Sequence, residues 1–197
     1  MKLRIAGMAL ITLIACSPKA TIEDGQRAAR SGDYLKANTI YRTLANAGNA
    51  DAQYWLGQSY ADGLGVSRDP EQALKWFRLA AERNPGYQYQ LANMLSAGLK
   101  VPKGQVEAIK WYRRASENGV VFAMDWLGLA LLNGEEGVPK NLDEAYFWLI
   151  QAKAGGGAGL APSYLAELEN ELGPTRVHDC QRRAAESWKT IQSKRVP

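Results

Sequence analysis

Residues 49–81, NADAQYWLGQSYADGLGVSRDPEQALKWFRLAA, decide how the rest of the chain is read. The first half is a helix-length run that carries a small residue, Gly57, where a second helix can approach closely. Gly63 stands where that helix must end in a left-handed cap, a conformation unfavourable for any residue with a side chain. Val66 follows as an apolar plug for the turn. Asp69-Pro70 then opens a second helix: Asp69 can accept from the free N–H groups of the first turn, and Pro70 sits where a missing N–H costs nothing. Along that helix Ala73, Trp76 and Ala80 recur at the spacing of a core-facing stripe. The stretch is two antiparallel helices joined by a loop marked with glycine.

Working outward, the same unit returns twice. Leu56-Gly57 recurs as Leu91-Ala92 and Leu127-Gly128, and Gly63 as Gly98 and Gly134. Val66 recurs as Val101 and Val138, Ala73 as Ala108 and Ala145, and Trp76-Phe77 as Trp111-Tyr112 and Phe147-Trp148. The spacing is 35 and then about 37 residues, the excess falling in Gly134-Glu135-Glu136-Gly137. A period of this size, with one helix pair per repeat, marks a stacked array in which neighbouring units bury each other's apolar faces.

Ala52, Leu56, Gly57, Tyr60, Gly63, Gly65, Val66, Asp69, Ala73, Trp76, Phe77, Ala80 and Ala81 resemble the Sel-one-like repeat, a relative of the tetratricopeptide repeat with a longer loop between its helices. The second unit departs from the pattern at Tyr87, Ala92, Leu95, Lys100 and Gly104, and the third at Leu131 and in its longer loop. The resemblance implies an all-α fold, a right-handed α-solenoid of antiparallel helix pairs, with repeats at 49–84, 85–119 and 120–156. Residues 21–48 resemble a tetratricopeptide helix pair, with Thr21 and Asp24 placed for a capping box. Residues 157–197 would form C-terminal capping helices, about 162–172 and 174–192. Arg182, Arg183, Glu186 and Lys189 would be their solvated face.

Met1-Lys2-Leu3-Arg4 carries two positive charges, and Ile5 to Ala15 carries none. That apolar run is shorter than the roughly 20 residues a membrane span requires, and matches the core of a secretory signal. It ends in Leu13-Ile14-Ala15-Cys16, which resembles a bacterial lipobox. The resemblance implies a signal peptide at 1–15, lipidation of Cys16 and a tether at 16–20. Ser17 after the cysteine implies sorting to the outer membrane, on its periplasmic face. Loss of Lys2 and Arg4 would lower the net charge from +4 to about +2, which does not suggest nucleic acid as a partner.

Nothing in the chain points to catalysis. H-E-x-x-H, C-x-x-C, G-x-S-x-G and S-x-x-K are all missing. Gly63-Leu64-Gly65 lacks a third glycine and follows a helix, and Gly155–Gly159 has neither a preceding strand nor a following lysine. His178, the only histidine, reads as a surface residue, and its neighbour Cys180 as one member of the buried stripe Val177, Cys180, Ala184, Trp188. No catalytic residue, metal ligand or cofactor is expected, and a hydrolase is the weakest functional reading.

The remaining functional surface is the concave face, which the first helices line in this superfamily. The resemblance implies that the two positions just before Leu56, Leu91 and Leu127 point inward: Tyr54-Trp55, Tyr89-Gln90 and Asp125-Trp126, with Gln58 and Asn93 one turn on. Rigid rings plus amide donors and acceptors suit a peptide groove. Two matters stay open at this stage: whether Trp55 and Trp126 line a groove or pack between repeats, and whether the ligand is a peptide or a glycan strand. The expected role is a membrane-anchored adaptor for a membrane-proximal protein partner, with glycan binding as the alternative.

Overall fold

The structure, a computed structural model, describes residues 20–134, 137–157 and 161–193. The expected signal peptide, the lipobox-like stretch ending at Cys16, Ser17, the Glu135-Glu136 pair and part of the Gly155–Gly159 run lie outside the described residues. Regular structure within them is helical: α1 (Ile22–Arg30), α2 (Tyr34–Asn46), α3 (Ala50–Asp62), α4 (Pro70–Arg83), α5 (Pro85–Ala97), α6 (Gln105–Glu117), α7 (Val121–Asn133), α8 (Leu142–Ala154) and α9 (Ala161–Ser193). Each helix packs chiefly on its immediate chain neighbours. That is the contact pattern of a solenoid, where stability comes from local pairs and their interfaces.

The helix starts follow from the capping residues. Thr21 Oγ1 accepts from the Asp24 N–H while Asp24 Oδ2 accepts from the Thr21 N–H, closing the capping box at 3.3 and 3.0 Å. Asp69 accepts from both Glu71 and Gln72, and Asn141 from Glu144. Gly104, which has no side chain to offer, makes no such bond. Gly63 and Gly98 end their helices in the left-handed region, at φ 74° and 66°.

The core departs from the expected stripe in one respect. Phe77, Tyr112 and Trp148, the second member of each aromatic pair, are buried, whereas Trp76, Trp111 and Phe147 are half-buried between units. The inward series in α4 is therefore Ala73, Phe77, Ala80, spaced four and three residues apart. Gly57 makes room for it: a Cβ there would lie 2.8 Å from the Phe77 ring. Leu56, Leu91 and Leu127 are enclosed at equivalent positions.

Two buried amides tie units together. The Gln53 amide donates to the Ala45 carbonyl at 3.1 Å, and the Gln88 amide to the Ala81 carbonyl at 2.9 Å. Each adds a bond to a carbonyl in the last turn of the preceding helix, where intrahelical donors become scarce.

The last element is two helical arms joined at Gly173 (φ 75°, ψ 166°) and Pro174. Leu165, Leu168, Leu172 and Cys180 pack with Tyr146 and Leu149, so α9 covers α8. Arg176 anchors it through two bonds to the Asp143 carboxylate, which holds that carboxyl below its ordinary range. Arg182, Arg183, Glu186 and Lys189 are exposed.

Candidate functional site

The residues that α1, α2 and α3 contribute meet in a cleft of about 620 Å³. Trp55 stands at its wall, 38% exposed, with its ring stacked on Tyr41 at 6.5 Å and met edge-on by Tyr54 at 5.7 Å. Tyr54 in turn stacks on Tyr87 at 4.6 Å, and the Tyr87 hydroxyl donates to Asp51 at 2.6 Å. Burial, with the nearby Asp51 carboxylate second, pushes the Tyr87 phenol well above its ordinary range. Rings from three neighbouring helices thus brace one another, and each gives up little conformational freedom on meeting a ligand.

The polar side of the cleft is equally ordered. Gln58 donates from Nε2 to the Tyr54 hydroxyl at 2.7 Å, which turns its Oε1 toward Lys100 Nζ at 2.6 Å. Lys100 also reaches Asp62 Oδ2 at 2.8 Å. Arg30 lines the same cleft, bonded through Nε to the Gln26 carbonyl at 3.3 Å.

Further along the array the expected face continues with changes. Tyr89 and Gln90 are half-buried, and Tyr89 lies 6.3 Å from the ring of Phe122. Asn93 is half-buried and accepts from the Tyr112 hydroxyl at 2.6 Å, so its carbonyl is committed to holding α6. Trp126 is 47% exposed and Phe122 53%. Phe122 escaped the sequence reading because its repeat equivalents are Asp51 and Gly86. The available signal was an aromatic in the first turn of a helix whose core positions were already filled.

Asp125 is a correction. It was expected on the groove face and is enclosed, at 1% exposure. The backbone after α8 closes over it: a Cβ on Gly157 would lie 2.7 Å from Asp125 Oδ2. The ring that Tyr54 and Tyr89 supply at this position is replaced by a small side chain, which lets that segment approach.

A larger and shallower recess, about 1090 Å³, lies at Trp111, Val106 and Lys110. Its two acids, Glu82 and Glu107, are ion-paired, and Lys103 and Lys110 line it beside them. Arg78 makes two 2.7 Å bonds to Glu107, holding that carboxyl below its ordinary range, and Arg114 pairs with Glu82 while lying 5.4 Å from the Trp111 ring. His178 is exposed. Cys180 is buried, which pushes its thiol up, and its Sγ donates to the Asp143 carbonyl at 3.6 Å. An enclosed, protonated thiol is inert to oxidation and does not support dimerisation through a disulfide. Among the described residues no group of three His, Cys, Asp or Glu side chains is placed to hold a metal ion, and no helix is long and apolar enough to cross a membrane.

Consecutive helix pairs, small residues at the crossings and a ring-lined face on the first helices define a repeat-solenoid interaction scaffold. Residues 50–85, 85–120 and 121–157 each match the Sel1 repeat, and the chain belongs to that family. Sel1 repeat proteins generally mediate protein–protein interaction, and the scaffold is typically non-catalytic. Among solved structures, the chain is similar to a Sel1 repeat protein from Oxalobacter formigenes, at 29% identity and a TM-score of 0.58, over 92% of this chain and 77% of that one. It is also similar to a protective antigen of uropathogenic Escherichia coli strains with an SLR fold, at 26% identity and a TM-score of 0.57, over 84% of this chain. The chain spans 38% of the length of that antigen. No curated protein compared with the chain matches it.

Proposed function

We propose that the chain is an exported, lipid-anchored adaptor that holds an extended segment of a partner protein against its first-helix face. The observation that carries this reading is Trp55, exposed along a cleft of about 620 Å³ and braced from behind by Tyr41 and Tyr54. A ring fixed in place yet open to solvent is the kind of group that dominates binding energy when a partner covers it. Phe122 and Trp126 extend the exposed aromatic surface by two repeats.

Anchoring rests on Leu13-Ile14-Ala15-Cys16 and on the short distance to the first helix. Thr21 caps α1, and five residues from Cys16 reach about 17 Å at roughly 3.3–3.6 Å each. The solenoid then lies against its membrane, and its partner is membrane-embedded or membrane-proximal. Ser17 favours the outer membrane. Partner capture from detergent-solubilised envelopes tests the adaptor reading: Trp55→Ala and Trp126→Ala lose the partner while helicity is kept. Unchanged capture would refute it.

A glycan strand is the second reading, favoured by one observation: the exposed Trp55 ring shares its cleft with Asp62 and Gln58, a stacking surface beside sugar-hydroxyl partners. Binding of soluble peptidoglycan fragments that Trp55→Ala abolishes would decide for it.

A further inference from the structure

Lys100 is the one described non-glycine residue with a left-handed backbone, at φ 66°. It directly precedes the valine that plugs the loop of its repeat. In the other two repeats that place is taken by glycine, Gly65 at φ 68° and Gly137 at φ 75°. A side chain is unfavourable in this conformation, and such strain persists where the surroundings hold it in place. Here the holding contacts lie in the cleft: Lys100 Nζ is 2.6 Å from Gln58 Oε1 and 2.8 Å from Asp62 Oδ2. The pair is partly exposed, and exposed ion pairs contribute little to stability, so tying two repeats together does not by itself offset the backbone cost.

The cleft has an unbalanced charge. Arg30 and Lys100 are its basic side chains, and Asp62 is its one acid. Among the described residues no carboxylate pairs with Arg30, and an ammonium has three N–H donors, of which Lys100 directs two at Gln58 and Asp62. Beside these cations stand the rings of Trp55 and Tyr41.

We propose that this cleft docks an acidic segment of a partner protein, in which an Asp or Glu carboxylate meets Lys100 and Arg30 while a neighbouring apolar side chain lies on Trp55. The inference rests on the reading of the first-helix face as a protein-binding surface and names the partner's chemistry. Charge selects the carboxylate, and the braced ring selects what stands next to it.

The test is selection of random dodecapeptides, displayed on phage, against the purified full chain in detergent. Selected peptides should pair Asp or Glu with an adjacent aromatic or aliphatic residue. A resynthesised peptide should bind about tenfold or more weakly once its carboxylates are amides, the loss expected for one charge-assisted hydrogen bond. Lys100→Gly should cause a similar loss while melting no lower than the parent, since glycine is at ease at φ 66°. That separates a binding role from a structural one, and Arg30→Gln gives an independent check on the second cation. Selected peptides with no acidic preference, bound equally by Lys100→Gly but lost in Trp55→Ala, would overturn the carboxylate site and leave the protein-binding face standing. Selection of no peptide, with peptidoglycan fragments bound instead, would overturn both.

Discussion

Replacing Gly128 with alanine tests how closely the paired helices approach. Two effects oppose each other. Alanine in a helix interior is favoured over glycine by about 1 kcal/mol. Against this, a Cβ at Gly128 would lie 2.6 Å from Leu149 Cγ and 3.3 Å from the Ala145 carbonyl oxygen, both on α8. The first is a branch carbon of an enclosed side chain and the second is backbone, so neither yields without moving the helix. Overpacking of this kind costs about 1–3 kcal/mol, here toward the upper end, which leaves a net loss of about 1–2 kcal/mol. For a 197-residue chain this lowers Tm by about 2–8 °C, read by circular dichroism at the helix band. Gly57→Ala meets only the edge of the Phe77 ring, at 2.8 Å, and should lose about 0–1 kcal/mol. A Gly128→Ala variant more stable than its parent would mean that the crossing is loose and the repeat packing misread.

Other outcomes follow from the same structure. Cys16→Ser should abolish fatty-acid incorporation and membrane association and leave uncleaved precursor; a mature, unlipidated N-terminus in the parent would end the anchoring proposal. Leu91→Ala, in the middle repeat, should cost about 2–5 kcal/mol and broaden the melt by uncoupling the two halves, whereas a sharp single transition would argue against nearest-neighbour coupling. Tyr87 keeps its proton in the folded chain above the pH of about 10 at which an unfolded tyrosine loses it. Its contribution is therefore complete below about pH 10 and falls as pH rises beyond that, and Tyr87→Phe should flatten the alkaline loss measured by urea unfolding.

Much of the fold was legible because the repeat writes the same physical instructions three times. Gly63, Gly98, Asp69 and Asn141 act through backbone geometry that does not depend on distant neighbours, and the structure uses them as the sequence suggests. Trp76 and Phe77 show the limit. Adjacent residues on a helix both fit an apolar stripe within its width, and only the space left by Gly57 decides which ring enters. The Gln53 and Gln88 latches were missed because a glutamine reads as surface until its carbonyl partner is located. On the functional face, the family resemblance pointed to Tyr54, Trp55, Gln58, Tyr89, Gln90, Asn93 and Trp126 as inward positions, and the structure leaves these half-buried or exposed. The resemblance could not reveal that the segment after α8 closes over Asp125, or that Lys100, seen only as a departure from the repeat pattern, sends its side chain back across the loop into the cleft.

The proposed function places a partner protein on the first-helix face, at the membrane. A photo-crosslinking residue at Gln90 tests it in living cells: Gln90 occupies the position that Trp55 and Trp126 hold in the flanking repeats, so a probe there stands on the same face. Lys75, exposed on α4, is the control. Irradiation should give a discrete adduct with one envelope protein from Gln90 and none from Lys75, and the adduct should vanish in Trp55→Ala. Equal adducts from both positions, or none from Gln90, would contradict the account.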